Sequence, residues 1–127
     1  MASKGRPYRT FVVEGFEILV GRGEDDNDAL TFDVAEPHDL WMHVGDGTPG
    51  SHVVVRNPTK GELPKPILER AASLAAWYSK SRNAKSVGVD YCKASHVSKP
   101  RGAPAGLVEL AEHKTIRVKP AAPEGAD

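Results

Sequence analysis

Between Asp39 and Val55 the chain places a Trp, two His, a Ser and a Pro-Gly turn, and these residue types allow three chemistries. The first is nucleophilic. Ser51 stands beside His52 with Asp39 and Asp46 near in sequence, the residue types of a hydrolase triad. Neighbours on a strand point to opposite faces, so Ser51 and His52 do not pair in extended chain. The strand–turn–helix setting of a nucleophile elbow is also missing. The second is metal binding. His43, His52, Cys92 and His96 supply four ligands of the kind zinc takes, but their spacing follows no zinc pattern. Cys92 reads equally well as a small buried residue at a strand end. The acidic run Glu24–Asp28 lacks the ligand spacing of an EF-hand. No catalytic residue, metal or cofactor is therefore expected. The third is recognition of a phosphate polymer. Backbone N–H groups around Gly47–Ser51 can cradle a phosphate. His43, Ser51 and His52 can hydrogen-bond sugar and phosphate, and Trp41 has the face to stack a base, although a Trp among apolar strand residues also suits a core. Lys93, Lys99 and Arg101 can follow a backbone, with Arg22 as an outlying contact.

These residues need a scaffold. Tyr8–Val13 and Phe16–Gly21 are rich in β-branched and aromatic residues around Glu14-Gly15 and predict a hairpin. Residues 21–28 contain no apolar side chain beyond Gly and predict an exposed loop, with Asn27-Asp28 able to cap the next element. Ala29–Val34 reads as a short strand or turn. Leu40–Val44 alternates, which puts Leu40, Met42 and Val44 on one face and Trp41 with His43 on the other. Ser51–Arg56 predicts a central strand, its Val-Val-Val run covered on both sides. Pro66 opens the clearest helix, Ile67–Ser81, with Ala71, Ala72, Ala75 and Ala76 at helical spacing and Asn83 as the cap. Ser86–Tyr91 predicts a strand and Cys92–Gly106 a polar, exposed loop. Leu107–Leu110 with Thr115–Val118 predicts a last hairpin. The order implies an α+β fold: a largely antiparallel sheet with one main helix packed on one face. It forms a single domain over 1–127, with a core at about 8–120 and flexible termini.

The net charge of zero hides an uneven distribution: +3 over residues 1–10, −9 over 11–50, +8 over 51–120 and −2 in the last seven. A basic half of that size either presents a face to phosphate polymers or is cancelled by the acidic half folding against it. One Cys excludes an intrachain disulfide. No secretion signal and no apolar run of membrane-spanning length is evident. These features predict a cytoplasmic protein with no membrane partner. They leave the oligomeric state open.

Several motifs stand in a family-like order: Tyr8-Arg9-x-Phe11 with Val20-Gly21-Arg22, Asn27-Asp28-x-Leu30-Thr31, Asp39-x-Trp41-x-His43 and Pro49-Gly50-Ser51-His52-Val53. Val89-Asp90-Tyr91, Val97-x-Lys99, Gly106-x-Val108 and Lys114-Thr115-Ile116-x-Val118 continue the series over about residues 8–120. This order resembles the NFACT-R domain, the RNA-binding module of the NFACT proteins. The resemblance implies an RNA-binding module, with tRNA or ribosome-associated RNA as partner and the large ribosomal subunit as a further candidate, in ribosome quality control. The sequence shows no NFACT-N domain, helix-hairpin-helix or coiled coil, so a stand-alone member is expected, without tail synthesis or ribosome docking of its own. Two other functions stay open: an enzyme on nucleic acid or a phosphate ester using His43 and His52, and a module docking on a ribosomal protein.

Overall fold

The computed structural model describes residues 7–45 and 47–123. The lead expected before Pro7, the end of the tail and Asp46 lie outside the described residues. The strands of the main sheet are β1 (Tyr8–Val13), β2 (Phe16–Gly21), β3 (Leu40–Val44), β4 (Val53–Val55), β5 (Val87–Lys93) and β8 (Lys114–Val118). They lie in the order β1-β2-β4-β3-β5-β8, every neighbouring pair antiparallel. A separate two-stranded sheet joins β6 (Val97–Ser98) to β7 (Glu109–Leu110). The architecture is α+β, as the order of elements implies.

The predicted first hairpin is present. Val13 pairs with Phe16, and the two residues between them take positive φ, 50° at Glu14 and 87° at Gly15. This geometry matches the right-handed twist of the strands it joins. The helix α2 (Lys65–Trp77) buries Ile67, Ala71, Ala72, Leu74, Ala75 and Ala76. Its small residues let it lie close on the sheet face formed by Ile18, Val20, Met42, Val44, Val53 and Val55. The other face carries Leu19, Trp41, Val54 and Cys92, packed with Leu30 and Val97. The alternation of β3 therefore splits as its sequence predicts.

Four expectations fail for tertiary reasons. The acidic stretch is not a loop: α1 (Glu24–Ala29) runs into a π-helical turn, Leu30–Val34, where a short strand or turn is predicted. Glu24, Asp25 and Asp26 sit in the first turn, where the helix dipole favours acids, and Leu30 is fully buried. The main helix ends at Trp77 rather than Ser81, because the next residues pair with the loop before β4. Ser51 N–H donates to the Tyr78 carbonyl at 3.0 Å and Lys80 N–H to the Pro49 carbonyl at 3.0 Å. Gly50 and Ser79 form a bridge there, so close that a Cβ at position 50 would lie 2.7 Å from that of Ser79. The last hairpin does not form: β7 pairs with β6, and β8 extends the sheet at the free edge of β5. The segment after β5 is not wholly exposed either, since its own Ala94 and Val97 are buried.

Candidate nucleic-acid interface

β3 and β4 meet as an antiparallel pair, Trp41 opposite Val54 and Met42 opposite Val53. The loop between them opens beside the ends of β2 and β5. Its backbone turns on Asn27, which is buried although polar. The Asn27 side-chain oxygen accepts from His52 N–H at 3.0 Å, and its amide donates to the Gly50 carbonyl at 3.4 Å. A buried amide that finds both partners is satisfied rather than costly.

His52 is itself buried, with both ring nitrogens engaged. Nε2 lies 3.3 Å from the Gly106 carbonyl, which can only accept, so Nε2 carries the proton. Nδ1 then accepts from the Thr31 hydroxyl at 2.8 Å, and Thr31 accepts from Trp41 Nε1–H at 3.0 Å. The relay runs Trp41, Thr31, His52, Gly106, each group satisfied once. Burial, followed by the repulsion of nearby His43, pushes the His52 pKa down to about 4. His43 is also lowered, by burial first, against hydrogen bonds to Val44 and Gly50 that favour its charged form. Its ring stacks on Trp41 at 6.1 Å between centroids and meets His52 edge-on at 5.3 Å. At neutral pH both imidazoles are uncharged.

The segment facing His52 is fastened by Lys99. Its ammonium donates to the carbonyls of Pro104 at 2.7 Å and Leu107 at 2.8 Å, and pairs with Asp28 at 3.1 Å. Asp28 also accepts from Gly106 N–H at 3.1 Å. Between this segment and residues 47–50 lies a cleft of about 450 Å³. His43 and His52 form its floor, Thr48 and Gly50 one wall, Gly106 and Leu107 the other. Glu24 and Asp90 also line it, so the interior suits neutral hydrogen-bonding groups better than a bare phosphate.

The structure sorts the predicted contacts. His43 is half-buried and faces the cleft; His52 is part of the frame that holds it. Trp41 is only 1% exposed, so it is a core residue and presents no stacking face. Ser51 is absent from the cleft lining, and its N–H is taken by the Tyr78 carbonyl. Arg22 is exposed and follows Gly21, whose N–H bonds the His52 carbonyl at 2.9 Å. Lys99 is spent on internal bonds, and Arg101 is exposed on the turn beyond it. Lys93 belongs to a different pocket, at the opposite end of the sheet.

Sequence reasoning passed over Thr31, the middle of the relay, and the exposed cations of the turn after α2. Lys80, Arg82 and Lys85 are all exposed there. The Arg82 guanidinium lies 4.4 Å over the half-buried Trp77 ring and its Nε donates to the Trp77 carbonyl at 2.8 Å. The backbone pairing of Lys80 with Pro49 sets this turn against the cleft's own loop. The Lys80-x-Arg82-x-x-Lys85 spacing is the sequence signal that could have found them.

The family model described as the NFACT protein RNA binding domain matches residues 6–110. The chain is 44% identical over 106 residues to the Rqc2 homolog RqcH of Bacillus subtilis, covering 84% of this chain and 18% of that protein. It is 33% identical over 78 residues to the ribosome quality control complex subunit NEMF homolog of Drosophila melanogaster, covering 61% of this chain and 8% of that one. The chain thus spans a fifth or less of the length of these relatives. Among solved structures, the C-terminal part of the fibronectin/fibrinogen-binding protein of Streptococcus suis superposes with a TM-score of 0.84 at 38% identity. That match covers 91% of this chain and 46% of the other.

Proposed function

We propose that this chain, which belongs to the NFACT RNA-binding domain family, binds tRNA or ribosome-bound RNA across the end of the sheet that carries the His43 cleft. The observation that carries this reading is the family match over residues 6–110. The geometry supports a division of labour. Arg22, Lys80, Arg82 and Lys85 stand at one end of the sheet and supply the phosphate contacts. The cleft, neutral in its imidazoles and acidic at Glu24 and Asp90, receives a base edge or ribose hydroxyls. Arg82 on Trp77 adds a flat cationic face for stacking. The relatives' names support a setting in ribosome quality control, and the proposal extends this to the cytoplasm and the large ribosomal subunit. A His43–His52 acid–base enzyme gains no support, because both ring nitrogens of His52 are engaged within the protein.

The test is fluorescence anisotropy with labelled tRNA over a series of salt concentrations. Each phosphate contact contributes roughly 0.7–0.9 to the slope of log affinity against log salt. Arg82→Ala lowers that slope by about one such contact. His43→Ala weakens binding by roughly fivefold, about 1 kcal/mol of lost hydrogen bonding, with the slope unchanged. Binding without salt dependence, or an Arg22→Ala, Lys80→Ala, Arg82→Ala triple variant that binds like the parent, refutes the proposed surface.

A further inference from the structure

The opposite end of the sheet holds a second pocket of about 560 Å³ that the RNA-binding reading does not use. Its floor is apolar: Leu40, Leu63, Leu68 and the half-buried Tyr91. Lys60, Lys93 and Lys114 stand around it, all exposed. Among the described residues none of these three ammonium groups has an ion-pair partner, in contrast to Lys99 and Arg56. His38, His96 and His113 complete the rim with groups that can donate or accept.

One wall is built rigidly. Asn57 N–H donates to the buried Asp39 carboxylate at 2.9 Å, and the Asn57 amide donates to the Gly61 carbonyl at 2.8 Å. Lys60 N–H returns to the Asn57 carbonyl at 3.1 Å, and Lys60 is held at a φ of 63°, a conformation side chains rarely adopt. Strain kept at a pocket rim is a pointer to function.

We propose that this pocket binds a nucleoside monophosphate unit, either a free nucleotide or the terminal nucleotide of an RNA strand. The apolar floor takes the base, and the unpaired lysines take the phosphate as point charges. Glu62 and Glu112, also in the lining, accept from ribose hydroxyls and oppose a longer run of phosphates. The same two carboxylates count against an acidic peptide, which would meet them with its own charges. The RNA-terminus form rests on the RNA-binding reading; the free-nucleotide form does not.

The test is titration of the ¹⁵N-labelled chain with AMP, adenosine and inorganic phosphate, followed by amide shifts. AMP should move amides of Asn57, Lys60, Lys93 and Lys114, and bind at least tenfold more tightly than adenosine or phosphate alone. A Lys93→Glu, Lys114→Glu variant with an otherwise parental spectrum should weaken AMP at least tenfold. If the natural ligand is an RNA end, AMP displaces a labelled short RNA and the same variant binds that RNA more weakly. If it is a free nucleotide, AMP binds equally to the RNA-loaded protein. The proposal is overturned by the absence of shifts at this pocket, by shifts confined to His43, Thr48 and Gly50, or by an acetylated acidic peptide binding there as tightly as AMP. Loss of tRNA binding in the Arg82 variant set, with the AMP shifts intact, bears on the RNA surface alone.

Discussion

At one end of β3 a neutral histidine works as a hydrogen-bond relay; at the other a buried carboxylate works as a fixed charge. His52 ties Thr31, Trp41 and Gly106 together without any ion. Asp39, only 1% exposed, accepts from Glu36 N–H at 2.9 Å, Asn57 N–H at 2.9 Å and the Arg56 guanidinium at 3.0 Å. Its own carbonyl accepts from Ala94 N–H at 2.8 Å. Each hub fastens loops distant in sequence, and each has an open cavity beside it. The difference lies in what is left over. The Asp39 end keeps its framework charge buried and lines its pocket with unpaired lysines, while the His52 end keeps its relay neutral, pairs Lys99 with Asp28 and has its exposed cations outside the cleft lining. The Asp-x-Trp-x-His motif reads as one signature because it spans both ends of a single strand. Asp39 frames one cavity and His43 faces the other.

Asp39→Ala should have the largest effect. It strands two backbone donors and the partly buried Arg56 guanidinium, a loss of about 3–5 kcal/mol. Urea denaturation should show the midpoint falling with an unchanged slope. Native-state hydrogen exchange sharpens the comparison. Protection should fall at Asn57, Lys60 and Ala94 while Gly106 and Leu107 keep theirs. If both ends loosen together, the two hubs form one cooperative unit and the division fails.

The His52 end should reveal itself through pH. The folded-state pKa of about 4 lies below the ordinary 6.5, so the unfolded chain takes up the proton first. Stability contributed by neutral His52 is whole above pH 6.5 and is lost as pH falls from 6.5 towards 4, with no further loss below. The span amounts to about 3 kcal/mol at 1.36 kcal/mol per pH unit. His43 is lowered too and adds to the same slope. His52→Gln can keep a donor for Gly106 but cannot titrate. Thermal melts of that variant between pH 4 and 6.5 should be flatter than those of the parent, and a parental slope would assign the titration elsewhere.

The sequence made β1, β2, the two faces of β3 and the buried stripe of α2 legible, because those elements are dictated by period and local turn chemistry. It failed wherever a polar residue is buried by a distant partner. Asn27 reads as loop material until His52 and Gly50 satisfy it. Tyr78 ends its helix early because the Pro49–Ser51 backbone needs its carbonyl. The strand Lys114–Val118 was legible, but its partner was not, since a free sheet edge competes with a local hairpin. The candidate site was legible as a place more than as a mechanism. Its histidines and Pro-Gly loop stood out, yet Trp41 took the core position that its apolar neighbours also suit, and the Lys99 ammonium bonds the carbonyls of its own segment. The exposed cations after α2, Lys80, Arg82 and Lys85, take the phosphate-facing role only in the proposed RNA surface.

Lys99 gives the smallest and most local prediction. Its ammonium has three internal acceptors, but its side chain keeps 29% of its exposure and that of Asp28 23%, so solvent screens the pair. Lys99→Met keeps the aliphatic stem and should cost only about 1 kcal/mol. The consequence should be positional. Without the ammonium, the Leu107 carbonyl loses its Lys99 donor, the Pro104 carbonyl keeps only the Leu107 N–H at 3.2 Å, and only Gly106 N–H still holds Asp28. Hydrogen exchange at Gly106 and Leu107 should quicken while α2 is unaffected. If Lys99 were instead a direct phosphate contact, the salt slope of tRNA binding would fall by roughly 0.7–0.9 with loop exchange unchanged. A staple predicts the reverse: a looser wall, weaker binding at every salt concentration and the same slope.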